Sequence, residues 1–483
     1  MIFATMRDAF AQIGACFSFA PFSSVLQPLI DETLVEQGKE KYRKGAILIP
    51  TLLVWLVLAL TLRRDLNYHK VLSWMVSGLR WLRLLLPAQS LIVQDGAVSH
   101  ARVRLGVEVF RVLFYKLTAA FQPVAPDFHG LVSVAFDGTT GTMPDTAGNE
   151  EKFHKPSSRS GKAAFPQMRM MTLMILSVRL MLDVAHAPYK GKGTGERSLV
   201  RQLLKRVVRR GLLFLLDAGL YSFDIVWEID QAGQKFIVKA PRNLKLKPIQ
   251  RLSDGSFLTR LTHKVEDPDA PPTKSGRKRW KKVSLIVRAI RIEIPGFRPF
   301  TLITDILDET ITARELALHY HKRWDIEIAY DEIKTHQCAT LRGQSPTTFR
   351  SKRPDLVEQE LYAMLIMYNL IRLLIRQAAE EHGKDPCSIS FLDSLQHLID
   401  AAPIMTAVEP AQENPFEYLL AVIADCEIDR PRRPRVNPRV VKVKMSKFKR
   451  KREKHKSETR DLAKELKIIW PHPGILGPEV QLA

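Results

Sequence analysis

The sequence predicts a mixed α/β core with a β-rich insertion, preceded by an all-α N-terminal domain and followed by helices and a basic tail. Three observations predict it. The first 128 residues read as helical, with apolar residues at helical spacing in Val71 to Leu86 and Val103 to Phe121 and little strand-type alternation. From residue 129, short apolar runs alternate with amphipathic segments, the pattern of an α/β core. Residues 241–298 interrupt that alternation with a basic, proline-punctuated, strand-rich stretch.

The chain has 483 residues, 46% hydrophobic and 26% charged, values that exclude wholesale disorder and fibrous classes. Its 73 Lys and Arg against 51 Asp and Glu give a net charge of +22, which suits a polyanion partner. Cys16, Cys338, Cys387 and Cys426 form no CxxC pair, so a zinc ribbon or redox dithiol is unsupported and a reducing compartment fits. The first fifteen residues carry no signal-peptide pattern.

The elements follow in order. Ala46 to Leu62 is apolar except for Pro50, Thr51 and Thr61. It is shorter than the ~20 residues of a membrane span. Basic residues flank both sides, so it reads as a buried helix of a soluble domain, with no membrane partner. Val71 to Leu86 and Val103 to Phe121 read as helices, and Gln122 to Pro126 as a break. Leu131 to Phe136 reads as a buried strand ending in Asp137-Gly138. Met168 to Val184 reads as two strands joined by a tight turn, and Glu196 to Arg210 as a basic helix. Gly211 to Leu216 is a second buried strand ending in an aspartate, Asp217. A helix over Ser222 to Ala232 and a strand over Phe236 to Lys239 follow. After the insertion, Pro299 to Thr304 returns to strand, and Thr312 to Lys334 and Leu356 to Glu381 are strongly helical. Arg430 to Lys456 holds 14 Lys and Arg against one Glu, net +13 in 27 residues, which points to nucleic acid.

Asp137 and Asp217 each sit where an apolar strand ends, the edge of a sheet at which α/β sites gather. Asp305 occupies a similar position, and turns use aspartate for structural reasons, so each alone says little. The third element is the helix bearing Tyr320, Arg323, Glu327 and Lys334. At ~100° per residue, positions seven apart drift only ~20°, and Arg323 and Glu327, four apart, are neighbours. The commoner fate of such a stripe is a solvated face with a salt bridge. Asp331, ~40° from Glu327, is a second candidate acid. Two aspartates and a glutamate from separate elements offer the oxygen ligands that Mg²⁺ takes, and paired metals serve phosphodiester chemistry.

The run Tyr-x2-Arg-x3-Glu-x6-Lys resembles the YREK signature of bacterial insertion-sequence transposases of the insertion sequence 4 family, which are DDE enzymes with an RNase H-like core. Asp137-Gly138-Thr139 resembles that family's first aspartate motif, and Asp217-Ala218-Gly219-Leu220-Tyr221 its second. Eighty residues separate the aspartates, and 110 lie between Asp217 and Glu327, room for the family's β-rich insertion. The resemblance covers most of the chain. It implies Asp137, Asp217 and Glu327 as catalytic metal ligands, and Tyr320, Arg323 and Lys334 at the DNA end. It implies two Mg²⁺ ions, replaceable by Mn²⁺. The implied partner is double-stranded DNA, both the terminal inverted repeats and the target, with a homodimer in the synaptic complex. The implied setting is bacterial cytoplasm, at the nucleoid.

The implied division is residues 1–128 as a helical DNA-end-binding domain and 129–240 as the first part of the RNase H-like core. The basic insertion at 241–298 and the second part of the core at 299–382 follow, then a helical segment and basic tail at 383–483. The activity expected is cut-and-paste transposition by hydrolysis at the element ends and 3′-OH strand transfer. Two alternatives share the charge and fold: a catalytically inactive transposase-derived DNA-binding protein, and an RNase H-like metal-dependent nuclease that cuts without joining. Trp280, the one tryptophan of the insertion, lies in a basic cluster without a motif and stays outside the site.

Overall fold

A computed structural model describes residues 20–470 apart from 44–45, 47, 76–93, 122–123, 159–160, 268–269, 272–274, 277–278, 296, 341–342, 345–346, 406–414, 429–434, 437–457 and 460. Two units emerge, each assembled from three separated stretches. The first takes Met1–Ala125, Phe136–Arg206 and Asp325–Glu427; the second takes Pro126–Ala135, Val207–Trp324 and Ile428–Ala483.

The first unit begins with helices α1 (Ala20–Glu36), α2 (Pro50–Leu62), α3 (Tyr68–Met75), α4 (Asp95–Leu105) and α5 (Glu108–Ala120). In α2, Pro50 opens the helix, where its missing N–H costs nothing, and every residue from Leu52 to Leu62 is buried. Trp55 settles its one donor on Gln27 Oε1 at 2.8 Å. The apolar run is thus a core helix, as its length implied. Among the described residues, no helix is long and apolar enough to cross a membrane. The expected helix over Val71 to Leu86 is seen as α3 to Met75, and its remainder lies outside the described residues. The single helix expected over Val103 to Phe121 is two. Gly106, at φ 86°, takes a left-handed conformation that ends α4, and α5 starts afresh.

Strand β1 (Val132–Thr142) passes from the second unit into the first at Phe136. It does not stop before Asp137 as the sequence suggested. β-branched Thr139 and Thr140 carry the extended backbone onward. Helix α6 (Ala147–Phe153), capped by Thr146, leads to the hairpin β2 (Gln167–Ile175) and β3 (Leu180–Pro188). The two hairpin strands are antiparallel, as expected. Helix α7 (Glu196–Leu204) is shorter than the sequence suggested, and Arg206 beyond it turns back onto Asp183 at 2.8 Å.

The second unit carries β4 (Leu212–Leu216), α8 (Phe223–Gln231), β5 (Lys235–Lys239), β6 (Pro248–Arg251), β7 (Phe257–Glu266), β8 (Trp280–Glu293), β9 (Phe300–Thr304) and α9 (Ala313–Tyr320). The strand order there is β1-β4-β5-β9-β8-β7-β6. β1, β4 and β5 are parallel, and the rest pair antiparallel. All five residues of β4 are buried, as an apolar run inside a parallel sheet requires. The 241–298 stretch is β-rich as expected, with β7 and β8 forming its long ladder.

The helix expected over Thr312 to Lys334 is four pieces. α9 gives way to a 3₁₀ turn at His321–Trp324, then α10 (Asp325–Asp331), then a π-helical segment at Glu332–Gln337. The last two belong to the first unit, with α11 (Pro354–Glu381), α12 (Phe391–Met405) and α13 (Pro415–Asp425). α11, 28 residues long, is the central helix of that unit and packs on α2 and α5. The basic run at 430–456 lies almost wholly outside the described residues. The chain then returns to the second unit, where β10 (Lys467–Ile468) pairs with β8 at Ile292 and Glu293.

Candidate active site

In the first unit, Asp137 lies within β1, half-buried, its Oδ1 accepting the Gly138 N–H at 2.8 Å. Its backbone carbonyl accepts the Tyr330 hydroxyl at 2.6 Å, and the same hydroxyl lies 2.7 Å from Thr172 Oγ1 on β2. Burial, and then the Asp137 charge, push the Tyr330 phenol far up, so it stays a protonated donor. A Cβ on Gly138 would lie 3.1 Å from Glu196 Oε1, so the glycine leaves room for Glu196 against the backbone beside Asp137.

Lys334 grips the same strand two residues on. Its ammonium bonds to the Thr139 hydroxyl and, at 2.8 Å, to the Thr140 carbonyl. Burial lowers its pKa, with Cys338 and Asp137 opposing. Glu327, on α10, is exposed. Tyr330 follows it by three residues, ~60° around the helix, so the two share one side of α10. Asp331 keeps its Oδ1 for the Thr335 hydroxyl at 2.6 Å, a local helical bond.

In the second unit, Asp217 follows the last residue of β4 and is half-buried. Its carbonyl accepts the Leu220 N–H at 3.1 Å, closing a turn. Leu216, just before it, accepts the Tyr320 hydroxyl at 2.9 Å. The preceding residue is anchored too: His319 Nε2 lies 2.6 Å from Ser133 Oγ and its ring stacks on Phe128 at 4.0 Å. The end of α9 is therefore pinned on both β1 and β4. Tyr320 and Arg323 are only 4% and 5% exposed, and the Arg323 guanidinium sits 4.7 Å over the Trp324 ring. The parallel register between β1 and β4 runs to Ala135 and Leu215.

Asp305 has a structural post. Its Oδ1 accepts the Phe236 N–H at 2.9 Å and Lys235 lies 3.3 Å from Oδ2; burial raises its pKa to about 6. In neither unit do three His, Cys, Asp or Glu side chains of the described residues gather as a metal-holding group. Asp137, Asp217 and Glu327 are nonetheless all at least partly accessible carboxylates, the donor chemistry that hard divalent cations require. Tyr330 escaped the sequence reading. Its only signal was its place three residues after Glu327.

Residues 129–370, half the chain, match the family model described as a transposase DDE domain. Residues 18–115 match the insertion element 4 transposase N-terminal model. The chain is 28% identical over 428 residues to the transposase InsG for insertion sequence element IS4 of Escherichia coli K12, covering 87% of this chain and 91% of that one. It is 27% identical over 181 residues to the putative transposase InsZ of the same organism, 36% of this chain and 59% of the relative. A cryo-EM structure of a piggyBac transposase synaptic complex with hairpin DNA aligns over 85% of this chain and 83% of that chain, with TM-score 0.39 and 11% identity.

Proposed function

The chain belongs to the insertion sequence 4 family of DDE transposases, and on that premise we propose that it moves its element by cut-and-paste through Asp137, Asp217 and Glu327. It is a DNA transposase, an enzyme of DNA cleavage and strand transfer that depends on divalent metal. The three carboxylates would hold two Mg²⁺ ions, with Mn²⁺ as substitute. When bound, the ions supply charge stabilisation to the attacking and leaving oxygens of an in-line displacement. Hydrolysis then frees a 3′-OH at the element end, and that 3′-OH attacks a phosphodiester of the target, so one site serves both steps.

The single observation that carries the assignment is the pair of tyrosine tethers. Tyr330 holds the main chain at Asp137, and Tyr320 holds it one residue before Asp217. Both aspartates are thus carried on backbone that a buried hydroxyl holds, at Asp137 itself and at the residue before Asp217, the kind of support that metal ligands need. Lys334 and Arg323 complete the proposed DNA-end set with Tyr320, the tyrosine acting by holding the backbone at Leu216. The DNA is the element's terminal inverted repeats and the target. The synaptic species is a homodimer, and the setting is the bacterial cytoplasm at the nucleoid. The helical 1–128 region and the basic 241–298 insertion share end binding, the core spans 129–240 and 299–382, and 383–483 adds the helical segment and its basic run. Neither alternative, the inactive DNA-binding relic or the nuclease that cuts without joining, gains an observation in its favour.

The test uses purified protein and DNA carrying both element ends, with Mg²⁺ and with chelator. Wild type should nick and join. Glu327→Ala should bind the ends and do neither. Cleavage by Glu327→Ala, or binding without cleavage by wild type in either Mg²⁺ or Mn²⁺, overturns the reading.

A further inference from the structure

Beneath the exposed face of α10 lies a cluster of buried charge that the proposed chemistry does not use. Arg179, in the turn between β2 and β3, donates to Asp325 Oδ1 at 2.9 Å and to Glu332 Oε1 at 3.0 Å. Arg372 of α11 donates its Nε to Glu332 Oε2 at 3.0 Å and bonds a second time to Oε1 through its terminal nitrogen. The Tyr368 hydroxyl adds a bond to Glu332 Oε2 at 2.9 Å. All five residues are buried, none more than 5% exposed. Two guanidinium groups face two carboxylates, so the cluster is formally neutral.

Buried ion pairs are poor sources of stability, because desolvation offsets their attraction and apolar replacements of like volume often do as well. What they do provide is a fixed geometry. Here that geometry lies along one helix. Asp325 opens α10 and Glu332 follows its last residue; seven apart, they lie ~20° from each other around the axis. Glu327 is two residues past Asp325, ~200° around, on the opposite side. The backbone of Arg179 is held at φ 54°, a conformation arginine avoids, and one kept only where surrounding contacts over-determine it. On the other side of the helix, Tyr330 reaches the Asp137 carbonyl. α10 is thus fixed in rotation and in height by ionic bonds behind and by one hydroxyl in front.

We propose that the Arg179–Asp325–Glu332–Arg372 cluster is a positioning device that sets the orientation of Glu327 toward the metal. The inference rests on the proposed role of Glu327. Arg179, Asp325, Glu332 and Arg372 touch neither DNA nor metal, and they act through the helix.

The experiment measures end nicking by the full chain against Mn²⁺ concentration, with end-DNA affinity and thermal unfolding measured alongside. Arg179→Met should lower the nicking rate per folded molecule by about tenfold or more, the scale on which supports of metal ligands act. It should raise the half-saturating Mn²⁺ concentration several-fold and leave DNA affinity within about twofold. Arg179→Lys should recover part of the rate, since an ammonium reaches one carboxylate where the guanidinium fork reaches two. Arg206→Met removes another ion pair of the same unit, to Asp183, and should leave the Mn²⁺ dependence unchanged. If Arg179→Met does not fold, the isosteric Glu332→Gln is judged on the same readouts. The proposal falls if the folded variant keeps the wild-type rate and Mn²⁺ dependence, or if Arg206→Met shows the same loss. If wild type does not nick, or Glu327→Ala nicks as well as wild type, the assignment of Glu327 itself is what has failed.

Discussion

The Tyr330 hydroxyl donates to the backbone carbonyl of Asp137 at 2.6 Å, so a residue of the glutamate helix holds the strand that bears the first aspartate. Tyr330→Phe keeps the ring and removes that bond and the one to Thr172. We expect about 1–3 kcal/mol of lost stability, the net worth of two such hydrogen bonds. The nicking rate should fall further than stability alone explains, with end-DNA affinity unchanged. Chemical denaturation and single-turnover nicking, run on the same preparations, check both halves.

Lys334 spends two of its three ammonium donors on Thr139 and Thr140. One donor is left to face a phosphate. Lys334→Met should therefore weaken end-DNA binding and lower the slope of log affinity against log salt by about one. A slope equal to that of wild type would assign Lys334 to holding β1 alone.

Gly141, also on β1, has no room for a side chain. A Cβ there would lie 2.4 Å from Phe349 Cε2 and 3.2 Å from Met170 Cε. Phe349 is fully buried, so its ring cannot swing outward without opening the core. Gly141→Ala should cost about 1–3 kcal/mol, the usual range for overpacking. A shifted denaturant midpoint at constant slope would be the signature.

Asp305 makes stability depend on pH. Its carboxyl is raised from 3.8 to about 6 by burial, so the folded protein holds this proton more tightly than the unfolded chain. Its contribution is full below pH ~4 and is lost as pH rises through about 6. Asp305→Asn keeps an acceptor for the Phe236 N–H and has no charge to bury. The variant should therefore gain stability over wild type at pH 8, on the order of 1–3 kcal/mol, and lose that advantage toward pH 4. Melting curves at the two pH values measure it.

Much of this architecture was legible from residue pattern. The β2–β3 hairpin, the buried strands β4 and β5 and the long helix α11 each follow from an apolar run of the right length and period. The divided helix did not. A stripe drawn from Tyr320 to Lys334 assumes 100° per residue throughout, and the 3₁₀ turn and π segment break that assumption. Tyr320 and Glu327 fall in different units of the fold. Strand β1 was cut short because Asp-Gly reads as a turn, whereas the tethers from Tyr330 and Lys334 keep it extended. Such long-range bonds leave no local trace in sequence, and Arg179, about 150 residues from its partners, left none either.

The return of the chain at β10 fixes where the backbone on either side of the basic run is held. Arg435–Val436 pairs with Glu458–Thr459, and Lys467–Ile468 joins the edge of β8 at Ile292 and Glu293. Trp470 lies 4.5 Å from the Arg251 guanidinium and 5.6 Å from the Phe257 ring. The backbone that enters the basic run and the backbone that leaves it are therefore paired neighbours, and the leaving end is carried on to the side of β8.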